Sequence, residues 1–150
     1  MDLILWRHAE AEDSADDLAR ALTPRGHKQA TRMARWLREH LPADTRIIVS
    51  PARRAQQTAQ ALSTEFETVA AIAPGASHAT VLSVSHWPKA KRAVLVVGHQ
   101  PTLGDTVAAL IAGTHAGWPI KKGAICWLTH RVRDTQTQVL LRAAMSPEML

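Results

Sequence analysis

Short apolar runs that stop abruptly at arginine or histidine constrain this chain more than any other feature. Leu3-Ile4-Leu5-Trp6 runs straight into Arg7-His8, with no turn residue between. Residues 46–50 (RIIVS) run into Pro51-Ala52-Arg53-Arg54, and residues 93–97 (AVLVV) run into Gly98-His99. A run that is apolar at successive positions, not alternate ones, suits a strand covered on both faces.

Amphipathic segments separate these runs. In residues 22–42 (LTPRGHKQATRMARWLREHLP) Thr23 is a good N-cap and Pro24 suits the first helical position. Ala30, Met33, Ala34, Leu37 and Leu41 then recur on one face, and Pro42 ends the element. Residues 52–65 read as a second helix with Ala55, Thr58, Ala59 and Leu62 inward. Residues 67–73 read as a weaker strand, and 75–87 as a short helix or irregular segment. Pro101 opens a further helix closed by Gly113. Residues 123–132 and 136–145 read as two final strands joined by a hairpin around Arg133 to Thr135. Strands alternating with helices imply an α/β fold, a three-layer α/β/α sandwich around a mostly parallel sheet. The expected organisation is a single domain over residues 1–150.

Composition removes several classes. A chain of 150 residues, 46% hydrophobic and 21% charged, is a folded globular type. One cysteine, Cys126, excludes an intrachain disulfide and CxxC sites, and fits a cytoplasmic protein. No apolar stretch reaches membrane-spanning length, and Asp2 without a basic leader is unlike a secretory signal, so the chain is read as mature. No histidine pair has HxxxH or HExxH spacing, which argues against a zinc enzyme. The formal charge of +5 and pI near 10.1 favour an anionic partner. Nucleic acid is disfavoured because charge alone supports it: the tryptophans sit in or beside apolar runs.

The three strand ends converge chemically. In an open α/β sheet, ligands bind beyond the carboxyl ends of the parallel strands. Arginine forks and helix N-termini both suit a phosphate at that rim. Neighbouring cations disfavour imidazolium, which would leave His8 neutral with a free lone pair and able to act as a nucleophile.

LWRHAEAE (5–12), SPARRAQQTAQAL (50–62) and VLVVGHQPTLGDTVAAL (94–110) resemble, in order and spacing, the three signatures of the histidine phosphatase, or phosphoglycerate mutase-like, superfamily. The short length and ALTPRGHKQA (21–30) look most like its SixA-type phosphohistidine phosphatase branch. That resemblance implies a phosphatase with His8 as the phosphorylated nucleophile. Arg7, Arg54 and His99 would bind the phosphoryl group, and Arg20 would add a further contact. Arg53 would be a neighbouring surface cation or an accessory contact. No metal or cofactor would be needed. The implied substrate is a phosphorylated protein, of histidine-phosphotransfer or phosphocarrier type, or else a small phosphate ester. A phosphoprotein-binding module without turnover is a rival class, and the intact Arg7, His8, Arg54 and His99 argue against it.

Two departures stand out. Ala9 replaces the usual Gly, a small change if its backbone avoids positive φ. Residues 70–80 (AAIAPGASHAT), where larger members carry a carboxylic general acid, contain no Asp or Glu, and His78 is their one titratable group. Imidazole leaves phosphorus far more readily than an alkoxide, so this absence favours phosphohistidine. The acidic stretch Glu10, Glu12, Asp13, Asp16 and Asp17 reads as a solvated loop. In the sharper reading Glu10 or Glu12, nearest in sequence, orients Arg7 or Arg20 or stands in as the acid.

Overall fold

A computed structural model describes residues 1–150. Six strands form one sheet in the order β3-β2-β4-β1-β5-β6. These are β1 (Asp2–Arg7), β2 (Arg46–Val49), β3 (Glu67–Thr68), β4 (Val94–Gly98), β5 (Ile125–Arg133) and β6 (Gln136–Met145). The four at the β3 side are parallel, and β5 and β6 complete the sheet as an antiparallel hairpin. Four helices flank it: α1 (Pro24–His40), α2 (Arg53–Gln60), α3 (His78–Val84) and α4 (Thr102–Ala112).

Successive strand side chains point to opposite faces, and this explains the unbroken apolar runs. Leu3 and Leu5 join a core with Val94, Val96, Val81 of α3, and Leu103 and Val107 of α4. Ile4 and Trp6 face the other way, packing with Val97, Met33 and Leu37 of α1, and Ala55 and Ala59 of α2. The expected α/β/α sandwich is therefore the observed one. No helix is long and apolar enough to cross a membrane.

Several boundaries differ from the sequence reading. The strand expected over 67–73 is only Glu67–Thr68, followed by a 3-10 turn at Ala70–Ile72. Its first residues pair with the edge of β2, but only Ile72 of the turn is buried, so there is little apolar surface to extend the pairing. The helix expected over 52–65 ends at Gln60. The final hairpin turns on Asp134 and Thr135, both at positive φ (49° and 67°), so its loop is one residue tighter than expected.

The loop after β1 is fastened to the start of α1. Thr23 caps the helix by accepting from the Gly26 N–H at 2.9 Å, and the Thr23 N–H donates to the Glu10 carbonyl at 3.0 Å. That closeness is why residue 26 is glycine: a Cβ there would lie 2.0 Å from the Glu10 backbone oxygen. Gly26→Ala is expected to destabilise the fold by about 2–3 kcal/mol, because backbone rather than a flexible side chain must yield. A urea unfolding midpoint equal to that of the unsubstituted chain would overturn this reading.

Candidate active site

Register places the site. The parallel pairing that sets Arg7 opposite Gly98 carries on so that the His8 N–H donates to the Gly98 carbonyl at 3.0 Å. Likewise the Ser50 N–H donates to the Val97 carbonyl at 3.0 Å. His8, Ser50 and His99 thus leave three adjacent strands side by side, with their ring centroids (His8 to His99) 5.2 Å apart. Arg54 enters from the first turn of α2. His8, Arg54 and His99 are only 6%, 4% and 3% exposed, so the cluster is set into the rim and not spread over it.

Hydrogen bonds define the tautomer of His8. Its Nδ1 lies 2.7 Å from the Ala9 carbonyl oxygen, which can only accept. Nδ1 therefore carries the proton and Nε2 keeps its lone pair. Arg54 Nε–H donates to that Nε2 at 3.3 Å. The rest of the Arg54 guanidinium is held by residue 17: one amino group donates to the Asp17 carbonyl at 2.7 Å and the other to its carboxylate at 3.2 Å. His99 Nε2 lies 2.7 Å from Ser50 Oγ, which also accepts from the Ala52 N–H at 3.2 Å. Arg7 donates to the Ile120 carbonyl at 2.7 Å.

Two buried nitrogens in this cluster, Arg7 Nε and His99 Nδ1, have no hydrogen-bond partner. Burying such groups unpaired is unfavourable, and two unpaired nitrogens beside a buried guanidinium suit an oxyanion ligand. Both histidines are held neutral. His8 is lowered to about 3, chiefly by burial and secondarily by His99, Arg54 and Arg7. His99 is lowered to about 4, again by burial first and then by Arg54. The sequence reading credited neighbouring cations with this effect. The direction agrees, but removal from water contributes more than charge.

The structure brings Arg7, His8, Arg54 and His99 together. Arg20 stands one step away: it bonds the Glu12 carbonyl at 2.8 Å and the Asp17 carboxylate at 3.4 Å. Glu10 is turned to the start of α1, 3.8 Å from Arg25 and 3.4 Å from the Thr23 hydroxyl. Arg53 is exposed and makes no hydrogen bond or ion pair with the cluster. The ring of His78 lies 5.1 Å from His115 and bonds none of the four. Ala9 is fully buried and is not at positive φ, so a methyl group is accommodated where glycine is usual.

The carboxylate that reaches the cluster is Asp17, not Glu10 or Glu12. Sequence distance misled here because a 3-10 turn, Asp17–Ala19, folds the far end of the acidic stretch back onto α2. Thr58 was also missed as a support: it donates to the Arg54 carbonyl at 2.7 Å and accepts from the Ala9 N–H at 3.0 Å. Its place in the second motif was the available signal, as was that of Ser50.

With folded values near 3 and 4 against an ordinary 6.5, neither ring takes up a proton as pH falls through 6.5, while the unfolded chain does. Stability is therefore expected to be fully present above about 6.5 and to decline as pH falls toward 4. Nitrogen-15 NMR of the free protein should show no titration of His8 or His99 between pH 5 and 8. A midpoint near 6.5 on either ring would refute the assignment.

Comparison with known proteins places the chain in a family. The family model of the histidine phosphatase superfamily (branch 1) matches residues 3–77. A phosphohistidine phosphatase SixA homolog of Haemophilus influenzae is 37% identical, with 73% of this chain and 77% of that protein covered. The phosphohistidine phosphatase SixA of Escherichia coli is 32% identical, with 75% and 76% covered. A solved structure of the protein histidine phosphatase SixA complexed with tungstate aligns with a TM-score of 0.79 and 27% identity over 99% of both chains. The chain belongs to the histidine phosphatase superfamily and is of the SixA type.

Proposed function

We propose that the chain is a protein phosphohistidine phosphatase that works through a covalent phosphohistidine on His8. The observation that carries the substrate class is the state of Asp17. It is the one carboxylate bonded to the cluster, and Arg54 and Arg20 together hold it below the usual carboxylate range. A carboxylate so held is ionised near neutrality and is a poor proton donor to a leaving oxygen.

The chemistry needs no such donor when the leaving group is imidazole. In the first step the lone pair on His8 Nε2 forms a bond to phosphorus while the substrate's P–N bond breaks. The departing imidazole takes the electron pair and picks up a proton from water. In the second step water attacks phosphorus, the bond to His8 breaks, and inorganic phosphate leaves. Both steps expel a histidine ring from phosphorus, so a site able to complete the second is suited to the first. Arg7 and Arg54 supply positive charge to the phosphoryl oxygens, with His99 Nδ1 as a further donor once Ser50 donates its hydroxyl hydrogen to Nε2. Arg20 lies close enough to join them through Asp17. As phosphate arrives, Arg54 can shift its Nε–H from His8 to an oxygen and release the nucleophile.

The SixA relatives are named as phosphohistidine phosphatases, and tungstate, an oxyanion of phosphate-like shape, is held by one of them. Both support this reading. The substrate would be a histidine-phosphotransfer or phosphocarrier protein.

The test compares a phosphohistidine protein with p-nitrophenyl phosphate and an alkyl phosphate. The alkyl ester should trail the phosphohistidine substrate by about 10²–10⁴-fold in kcat/KM, reflecting the missing acid. His8→Ala should lose more than about 10³-fold on every substrate, and quenching in alkaline denaturant should trap base-stable phosphate, lost again on acid treatment, on the unsubstituted chain only. Comparable turnover of phosphohistidine and alkyl phosphate would sink the substrate assignment, and full activity in His8→Ala the nucleophile.

A further inference from the structure

One member of the phosphoryl cluster, Arg7, also lines a longer cationic trough. Helix α1 exposes Arg25, Lys28, Arg32 and Arg35, spaced three, four and three residues apart and so aligned on one face. The depression beside Arg7 has a volume of about 310 Å³ and is lined by Glu10, Arg25, Gln29, Lys121 and Lys122 as well. The next depression shares Arg25 and Gln29 with it and adds Lys28 and Arg32. A third shares Arg32 and adds Arg35, Trp36 and Glu39. The three form one trough leading from Arg7 along α1, about 15 Å long from Arg25 to Arg35.

Nothing in the fold calls for this arrangement. Lys28, Arg32, Arg35 and Lys122 form no ion pair, while Arg25 and Lys121 meet Glu10 and Glu148. Like charges at this spacing repel along a helix. Arg25 and Lys28 also lie in the first turns of α1, where the helix dipole disfavours cations; the first turn itself holds no acidic residue, and of the two only Arg25 has a carboxylate, Glu10, nearby. Seven of the chain's 18 basic side chains line the trough. An acidic partner would relieve both penalties.

We propose that this trough docks the phosphorylated protein by a helix that carries carboxylates three to four residues apart beside its phosphohistidine. The inference rests on the phosphohistidine reading above and adds the partner's chemistry to it. Two features favour such a helix over nucleic acid. Arg7 belongs both to the trough and to the phosphoryl cluster, so an occupant that carries a phosphoryl group can bring it there. It also contains Glu10, Glu39 and Glu148, which discrete carboxylates can avoid but a continuous polyphosphate backbone cannot.

The test uses two stapled helical peptides of equal length, each with one phosphohistidine. One has glutamates and the other glutamines at the fourth, seventh and eleventh positions beyond it. The unsubstituted protein should turn over the glutamate peptide with about 10-fold lower KM, an advantage that shrinks as salt rises. The K28E/R32E protein should lose that preference while keeping its rate on p-nitrophenyl phosphate. K28Q/R32Q, which preserves α1 without reversing charge, should lose part of it. Equal KM for the two peptides would overturn the docking proposal and leave the phosphohistidine reading intact. Failure to hydrolyse either peptide, with p-nitrophenyl phosphate still cleaved, would overturn both. Stronger displacement of the glutamate peptide by a single-stranded oligonucleotide than by oligoglutamate would assign the trough to nucleic acid and end the proposal.

Discussion

The seating of the Arg54 guanidinium is the interaction on which the rest of the site depends. A cation only 4% exposed is tolerable when each of its faces finds an acceptor, and Arg54 finds His8 on one side and Asp17 on the other. This arrangement links three segments that are distant in sequence: the end of β1, the 3-10 turn at Asp17–Ala19, and the first turn of α2. Thr58, one turn further along α2, closes the loop by bonding both the Arg54 carbonyl and the Ala9 N–H. Displacing any of these would move the guanidinium relative to the histidine lone pair.

The same burial sets the chemistry of the histidines. Removal from water, more than repulsion by arginine, keeps both rings neutral. A neutral His8 whose Nδ1 proton is bound to the Ala9 carbonyl keeps its lone pair on Nε2, so one backbone contact decides which nitrogen would attack in the mechanism proposed above. The unpaired Arg7 Nε and His99 Nδ1 are the complement of that choice. They are unfavourable in the free protein and would become favourable if oxygen atoms of a phosphoryl group met them, as the proposed mechanism has it.

Gly26 and Asp17 show two different ways in which the loop after β1 is controlled. At Gly26 the control is steric: the Glu10 backbone leaves no space for a side chain. At Asp17 it is electrostatic, through pairing with Arg20 and Arg54. Both act on a segment whose composition resembles a solvated loop, and both involve contacts that no local pattern reveals.

Much of the architecture was legible in the chain. The apolar residues at 3–6, 47–49 and 93–97 suited strands covered on both faces, and the polar ends of those segments marked a single rim, because strand alternation and helix periodicity are local properties. The motifs likewise identified Arg7, His8, Arg54 and His99. The sequence alone did not limit the strand after α2 to Glu67–Thr68, since that depends on what its neighbours leave to bury. Nor did it single out Asp17 over Glu10 as the partner of Arg54, or show that Ser50 and Thr58 support His99 and Ala9. Those outcomes belong to the tertiary structure, because they rest on distances between segments and on the exclusion of water, neither of which is encoded in the spacing of residues along the chain.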